Sequence, residues 1–342
     1  MSDNSKIISL SVIVPCYNVE PYLDRSLACL SRQWNGRTDY EIILVNDAST
    51  DKTIDKLNDF KLRYPDNVIV IDKKVNEGAA EARNSGLDVA KGEWIVFFDP
   101  DDALADNGYA KMLELTQEKE FDVLSFGVKD ANESTWNDNM IQPVAQSSID
   151  WFGSGKDFLL NFHFATSIKY FFKRELVADI RFDALVFLED LVFVLPIFLS
   201  DIKVAQCDTK VYYYIVRQSS ATTMINSNKL IQGCDDILTA IQFMNQCKQG
   251  QNDAIQKVIE ERQFFYRSNL ITRLMLSDKG HSELKRHRDA IRVLSIPKNQ
   301  GIGKNLFYDF LFDHPLLMML FRPAYRAVRS RIVQSVIRRM RG

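Results

Sequence analysis

Trp94-Ile95-Val96-Phe97-Phe98-Asp99-Pro100-Asp101-Asp102 is an apolar run that ends abruptly in three acids. The run predicts a buried strand, and the acids sit where such a strand would emerge. Burying three carboxylates unpaired is costly, and their repulsion raises their pKa values. A divalent cation resolves both problems. Hard oxygen ligands suit Mg2+ or Mn2+, which keep waters and bridge one or two carboxylates to phosphates. Pro100 fixes the turn, so that Asp99 and Asp101 can face one side. A solvated acidic turn is the alternative that this cluster alone leaves open.

Working outward, the pattern repeats. Leu10–Val14 is a strand-like run that Pro15 is expected to stop, and Glu41–Val45 and Val68–Ile71 are two more. Between them Leu23, Leu27 and Leu30 recur at helical spacing, as do Ile54, Leu57 and Phe60 behind a capping Ser49-Thr50-Asp51. A helix over about 78–90 is expected to stop before Gly92. Another is expected over about 105–119, leading to a run at Asp122–Phe126. Strands alternating with helices predict an α/β fold, a mostly parallel sheet with helices on both faces, and a C-terminal helical region. Ligands in such sheets bind beyond the carboxyl ends of the strands. The polar clusters lie there: Tyr17-Asn18, Asn46-Asp47 and Asp99–Asp102.

The 342 residues suit two domains rather than one. Hydrophobic residues make up 46% and charged ones 26%, which excludes bulk disorder. The five cysteines are scattered without a CxxC pair, which argues against a disulfide framework or zinc site and fits a reducing cytoplasm. No leader-like N-terminus and no run of 18 apolar residues is present, so neither export nor membrane spanning is expected. Residues 130–150 are polar and read as a surface excursion. After Ser227 the pattern is helical, with Leu230, Ile237, Ile241 and Met244 as core positions.

Three further stretches accompany the acids: Ser11-Val12-Ile13-Val14-Pro15-Cys16-Tyr17-Asn18, Leu44-Val45-Asn46-Asp47-Ala48-Ser49-Thr50-Asp51, and Asn76-Glu77-Gly78-Ala79-Ala80-Glu81-Ala82-Arg83-Asn84. In this order and spacing the sequence resembles the family 2 inverting glycosyltransferases of the bacterial surface-polysaccharide type. That family carries V-P-x-Y-N, V-D-D-G-S-x-D, N-x-G-x-x-x-A-R-N and D-x-D-D motifs on a GT-A, nucleotide-diphospho-sugar transferase fold. One departure is Asn46-Asp47-Ala48, where the family more often has Asp-Asp-Gly; it bears on Asn46 and not on Asp47. The resemblance covers 8–222 and is strongest to 105.

The resemblance implies roles. Pro15, Tyr17 and Asn18 would line the donor site, with the Tyr17 ring stacked on the base. Asp47 would accept a base N–H, and Arg83 would bond base or phosphate with its guanidinium fork. Asp99 would lie near the ribose. Asp101, supported by Asp102, would hold Mn2+ or Mg2+ against the leaving diphosphate. Packing for Tyr17 and a helix-face ion pair for Arg83 are the plainer readings. An inverting transfer also needs a base opposite the diphosphate. Phe187-Leu188-Glu189-Asp190 resembles the family's E-D motif, which makes Asp190 the base and Glu189 the alternate; a helix N-terminal acid is the compatible alternative. Lys169–Leu176 resembles the segment before the acceptor region. Tyr212-Tyr213-Tyr214 through Arg217 and Ser220 resembles a Y-Y-Y-x-x-R-x-x-S segment, in which Arg217 and Ser220 would touch the diphosphate, with a plain structural strand the equal alternative.

The expected division is a glycosyltransferase domain over 1–225, with its nucleotide-sugar half at 1–105 and acceptor half at 106–225. A helical extension follows over 226–313 and a basic amphipathic tail over 314–342. That tail holds seven arginines and no acid from Pro315 onward, with apolar residues at helical spacing. It is expected to lie on an anionic membrane surface, at the inner face of the cell membrane. A packed or homo-oligomerising helix is its alternative use. Nucleic acid is not expected as a partner, because the body is acidic and no aromatic platform accompanies the arginines.

Gly153-Ser154-Gly155-Lys156 and Gly301-Ile302-Gly303-Lys304 fail as P-loops, and no GxGxxG follows a strand. The four histidines, His163 among them, lack ligand spacing. The expected activity is sugar transfer from a nucleotide-sugar, a UDP-sugar, to a hydroxyl of a glycan or lipid-linked saccharide. The competing reading is a non-catalytic, membrane-associated glycan-assembly partner with the same fold. Retention of Asp99, Asp101 and Asp190 disfavours it.

Overall fold

The computed structural model describes residues 7–34, 36–162, 166–217 and 227–276. Ser220, His163 and the whole basic tail lie outside them. Among the described residues, one unit gathers those within 1–158, 166–184 and 197–222, and a second those within 159–165, 185–196 and 223–342.

The first unit opens with β1 (Leu10–Cys16), α1 (Glu20–Ser31), β2 (Tyr40–Asn46), α2 (Thr53–Arg63), β3 (Val68–Asp72), α3 (Ala79–Val89) and β4 (Trp94–Phe97). β1, β2 and β4 are buried at every position, as their near-continuous apolar sequence requires. All pairings among these four strands are parallel, in the order β3-β2-β1-β4. The chain leaves β1 toward β2 and β3, then returns to β1's other side as β4. That reversal opens a crevice at the carboxyl ends of β1 and β4.

Pro15 does not stop β1, which runs on to Cys16. The Cys16 carbonyl accepts the Asp47 N–H on the β2 side, whereas the Ile13 carbonyl accepts the Phe98 N–H on the β4 side. Pro15 faces the β4 side by alternation, and β4 pairs only as far as Ile13. The missing N–H of Pro15 therefore costs no ladder bond.

The chain continues through β5 (Ala103–Leu104), α4 (Gly108–Leu115), β6 (Val123–Asn132), β7 (Trp151–Ser154), α5 (Gly155–Asn161), β8 (Tyr170–Lys173), α6 (Arg174–Val177), α7 (Glu189–Leu199) and β9 (Lys203–Val216). The sheet extends from β4 as β8-β6-β9-β5, with β7 beside β9. β8 is antiparallel to both β4 and β6, while β6 and β9 run parallel. The helix expected over 105–119 is shorter, because Asn107 takes a left-handed φ of 58° just before it and Ala103–Leu104 pair with β9. β6 outruns the expected 122–126 because β9 pairs with it as far as Asn132. The polar excursion that follows is pinned by Ile141 and Val144, both buried.

The second unit contains the hairpin of α8 (Ser227–Lys248) and α9 (Asp253–Leu276). Ile237, Ile241 and Met244 are buried on α8, and Ile255, Ile259 and Tyr266 on α9. The buried Gln263 amide donates to the Ile241 carbonyl (3.1 Å) and to Asn245 Oδ1 (2.8 Å). Asn252 caps α9 by accepting the Ile255 N–H. No described helix is long and apolar enough to cross a membrane.

Candidate functional site

The loops after β1 and β2 lock together before any ligand is considered. Asn18 adopts φ 49°, and its Oδ1 accepts the Thr50 N–H (2.8 Å) while its own N–H donates to Ser49 Oγ (3.0 Å). Asp51 accepts the Thr53 N–H and the Glu20 N–H, tying the starts of α2 and α1 together. Burial opposes its charge, but these hydrogen bonds hold its pKa below the usual carboxylate value. Pro15 is buried in β1. Tyr17, just past the end of β1, is 48% exposed.

Asp47 follows β2 directly and is buried. Its Oδ1 accepts the Glu77 N–H (3.1 Å) and its Oδ2 the Gly78 N–H (2.7 Å), at the turn into α3. The Asn76 amide reaches its backbone carbonyl. Lys73 Nζ lies 3.4 Å from Asp47 Oδ1 and 2.8 Å from Glu77 Oε2. Burial works against the Lys73 charge, yet these two acids hold its pKa above the usual lysine value. A carboxylate has about four acceptor positions, so Asp47 keeps capacity for a further donor. Asn46 turns to Asp72 Oδ1 (2.8 Å) and to the Ser49 N–H, a local structural use.

The three acids after β4 diverge. Asp99 Oδ1 meets Arg83 Nη2 at 3.0 Å, and the Arg83 guanidinium lies 5.4 Å from the Phe182 ring centroid. Arg83 is 4% exposed, so removing Asp99 would deprive a buried guanidinium of this partner, which is costly. Asp101 Oδ2 pairs with Arg217, whose guanidinium stacks 4.4 Å from the Tyr22 ring centroid. Arg25 donates to the Asp101 carbonyl (2.5 Å). Asp102 points the other way: its Oδ2 accepts the Tyr212 hydroxyl (2.7 Å) and its Oδ1 the Ile215 N–H (2.8 Å). Burial and the charge of Asp99 push the Asp102 pKa up to about 8, against the pull of those two donors and Arg25. Cys16 lies nearby, but burial and Asp99 push its thiol up, which makes it inert as a nucleophile.

This donor set fits a divalent cation of one kind. The side chains of Asp99 and Asp101 are about a quarter exposed (26% and 24%), while both Asp102 oxygens are already engaged on β9. No cluster of three acid, histidine or cysteine side chains forms a cage among the described residues. One or two carboxylates completed by water and phosphate oxygens suit Mg2+ or Mn2+.

Glu189 and Asp190 open α7 and belong to the second unit, in its acidic first turn. Burial pushes the Tyr266 phenol on α9 up to about 12, with Arg262 pulling it down and Asp190 adding to the rise. Sequence reading did not single out Arg25, Lys73, Tyr22 or Asp236. Each acts across a contact distant in the chain, for which helical or strand periodicity carries no signal.

A model of the glycosyl transferase family 2 matches residues 11–181. A poly(ribitol-phosphate) beta-glucosyltransferase of Bacillus spizizenii is 26% identical over 322 residues, covering 92% of this chain and 48% of that protein. The chain thus spans about half the length of that relative. A crystal structure of S. aureus TarS 1–349 in complex with UDP-GlcNAc superposes with a TM-score of 0.63 at 22% identity, covering 84% of this chain and 82% of that one. The mannosyltransferase PcManGT from Pyrobaculum calidifontis, in complex with GDP-Man and Mn2+, superposes with a TM-score of 0.56 at 17% identity, covering 95% and 87%. The fold is therefore the GT-A arrangement that the motifs implied.

Proposed function

The chain belongs to glycosyl transferase family 2, and from that premise we propose that it is an inverting glycosyltransferase. It moves a sugar from a nucleotide-sugar, a UDP-sugar, to a hydroxyl of a glycan or lipid-linked saccharide in cell-surface polysaccharide synthesis. The observation that carries this reading is the strand order β3-β2-β1-β4, which puts Tyr17, Asp47 and the Asp99–Asp102 acids just past the carboxyl ends of β1, β2 and β4, with Arg83 paired to Asp99 and Arg217 to Asp101. The B. spizizenii relative, named for poly(ribitol-phosphate), supports a wall-polymer acceptor.

In this reading Tyr17 stacks on the base and Asp47 accepts its N–H. Arg83, bonded to Asp99, holds that carboxylate oriented toward the ribose. Asp101 would hold Mn2+ or Mg2+, with Asp102 reserved for anchoring the turn to β9. The cation would neutralise charge developing on the leaving diphosphate. Arg217, and Ser220 beyond the described residues, would contact the same diphosphate. Asp190 takes the acceptor hydroxyl's proton as that oxygen attacks the anomeric carbon from the face opposite the diphosphate. The domain division at about 225 and 313 belongs to the same proposal. So do the peripheral position on the inner membrane face and the use of the tail as anchor or oligomer contact.

The test is a panel of nucleotide-sugars with Asp190→Asn. The variant should lose transfer by at least ~10²-fold, the low end of what a positioned base contributes. UDP affinity by calorimetry should stay within about two-fold. Turnover at the wild-type rate in that variant would sink the assignment of the base.

A further inference from the structure

The segment that leads into Asp190 is held in an uncommon shape. Leu188 has φ 70°, a left-handed conformation that is an outlier for a bulky side chain. Such strain persists only where the surroundings over-determine it, and it concentrates at functional sites. Here the surroundings are specific. One oxygen of Asp236 on α8, Oδ2, accepts both the Val186 N–H (2.9 Å) and the Phe187 N–H (3.2 Å). Two successive amides aimed at one anionic oxygen make a charge-assisted clamp. The Leu188 carbonyl then accepts the Val192 N–H (3.1 Å), closing the first turn of α7 on Glu189 and Asp190. From the opposite helix, α9, Tyr266 feels the charge of Asp190, which pushes its phenol up. All these groups lie in one unit, and both helices lie beyond the 11–181 stretch matched by the family.

We propose that Asp236 is a positioning residue for Asp190: its carboxylate clamps Val186 and Phe187, and the clamp holds the left-handed turn at Leu188 that sets the direction of the α7 acid. This rests on the reading of Asp190 as the base. The helical hairpin is then part of the catalytic apparatus and not an appendage to it. The clamp uses a single oxygen, so an asparagine whose Oδ1 takes that place keeps both hydrogen bonds. Alanine loses both.

The experiment uses the full chain and follows UDP release from UDP-glucose and UDP-N-acetylglucosamine, with hydrogen exchange of the 185–188 segment measured in parallel. Asp236→Ala should lower kcat ten-fold or more, leave KM for the donor within about two-fold, and lose protection at the Val186 and Phe187 amides. Asp236→Asn should keep kcat within about three-fold and retain that protection. Rescue by asparagine separates positioning from a need for charge. Should the alanine variant not fold, Asp236→Ser, too short to reach both amides, should show the same kcat loss. Wild-type kcat in Asp236→Ala or Asp236→Ser, with amide protection lost and Asp190→Asn inactive, overturns this inference alone. Wild-type UDP release in Asp190→Asn overturns the base assignment and this inference with it.

Discussion

Asp102 places both carboxylate oxygens on a single strand, accepting from the Tyr212 hydroxyl and the Ile215 N–H. Its pKa is pushed up to about 8 by burial first and then by Asp99, against about 4 for an unfolded aspartate. The folded chain therefore binds one more proton than the unfolded chain between about pH 4 and about pH 8. By linkage this stabilisation is fully present below the unfolded value and is lost as pH rises through the folded one. Asp102→Asn, neutral throughout, should flatten that part of the profile in urea midpoints taken at pH 5 and pH 8 without added metal. An unchanged slope would mean that Tyr212 and Ile215 already keep the carboxyl ionised. At this scale the sequence located the acids but not their partners. Asp99, Asp101 and Asp102 share one turn, yet Arg83 comes from α3 and Tyr212 and Arg217 from the end of β9.

Helix and strand packing explains two glycines: Gly92, which periodicity reads only as a break, and Gly86, which it does not single out. Gly92 was expected as a stop for α3, but that helix ends at Val89 with an extended Ala90 behind it. The reason for glycine at 92 is proximity: a Cβ there would lie 2.4 Å from the Ser11 N and 2.6 Å from the Leu10 carbonyl carbon, both backbone atoms of the β1 region. Gly86 on α3 meets instead the Ile13 side chain, whose nearest methyl would be 2.4 Å away. A side chain can turn and a buried strand cannot. Gly92→Ala should therefore cost about 1–3 kcal/mol by overpacking, and more than Gly86→Ala, in chemical denaturation. Equal losses would count against the backbone explanation. The first four strands and three helices were legible because each repeats a local period. β5, β7 and the length of β6 were not, since each exists only through pairing with β9.

The order β3-β2-β1-β4 brings the ends of distant segments to one crevice in the first unit. On the proposed reading, loops at Tyr17, Asp47 and Asp99 form one binding surface, and a ligand that bridges them would stabilise the fold. With UDP and Mn2+ at about 100 times Kd the gain should be about 2.7 kcal/mol, read as a thermal shift. Asp101→Asn should remove the Mn2+-dependent part and leave the part due to nucleotide. An equal shift with and without Mn2+ in the wild type would refute metal binding at Asp101. By itself the sequence determined the class of fold and the order of the first elements, and it located the acid clusters after β2 and β4, because apolar periodicity and clustered charge are visible in the local sequence. Only tertiary structure decided that Asp102 anchors a turn, that Pro15 sits harmlessly inside a strand and that Asp236 clamps the approach to Asp190. Those outcomes depend on hydrogen bonds between groups far apart in the chain, and chain folding alone selects which donor meets which acceptor.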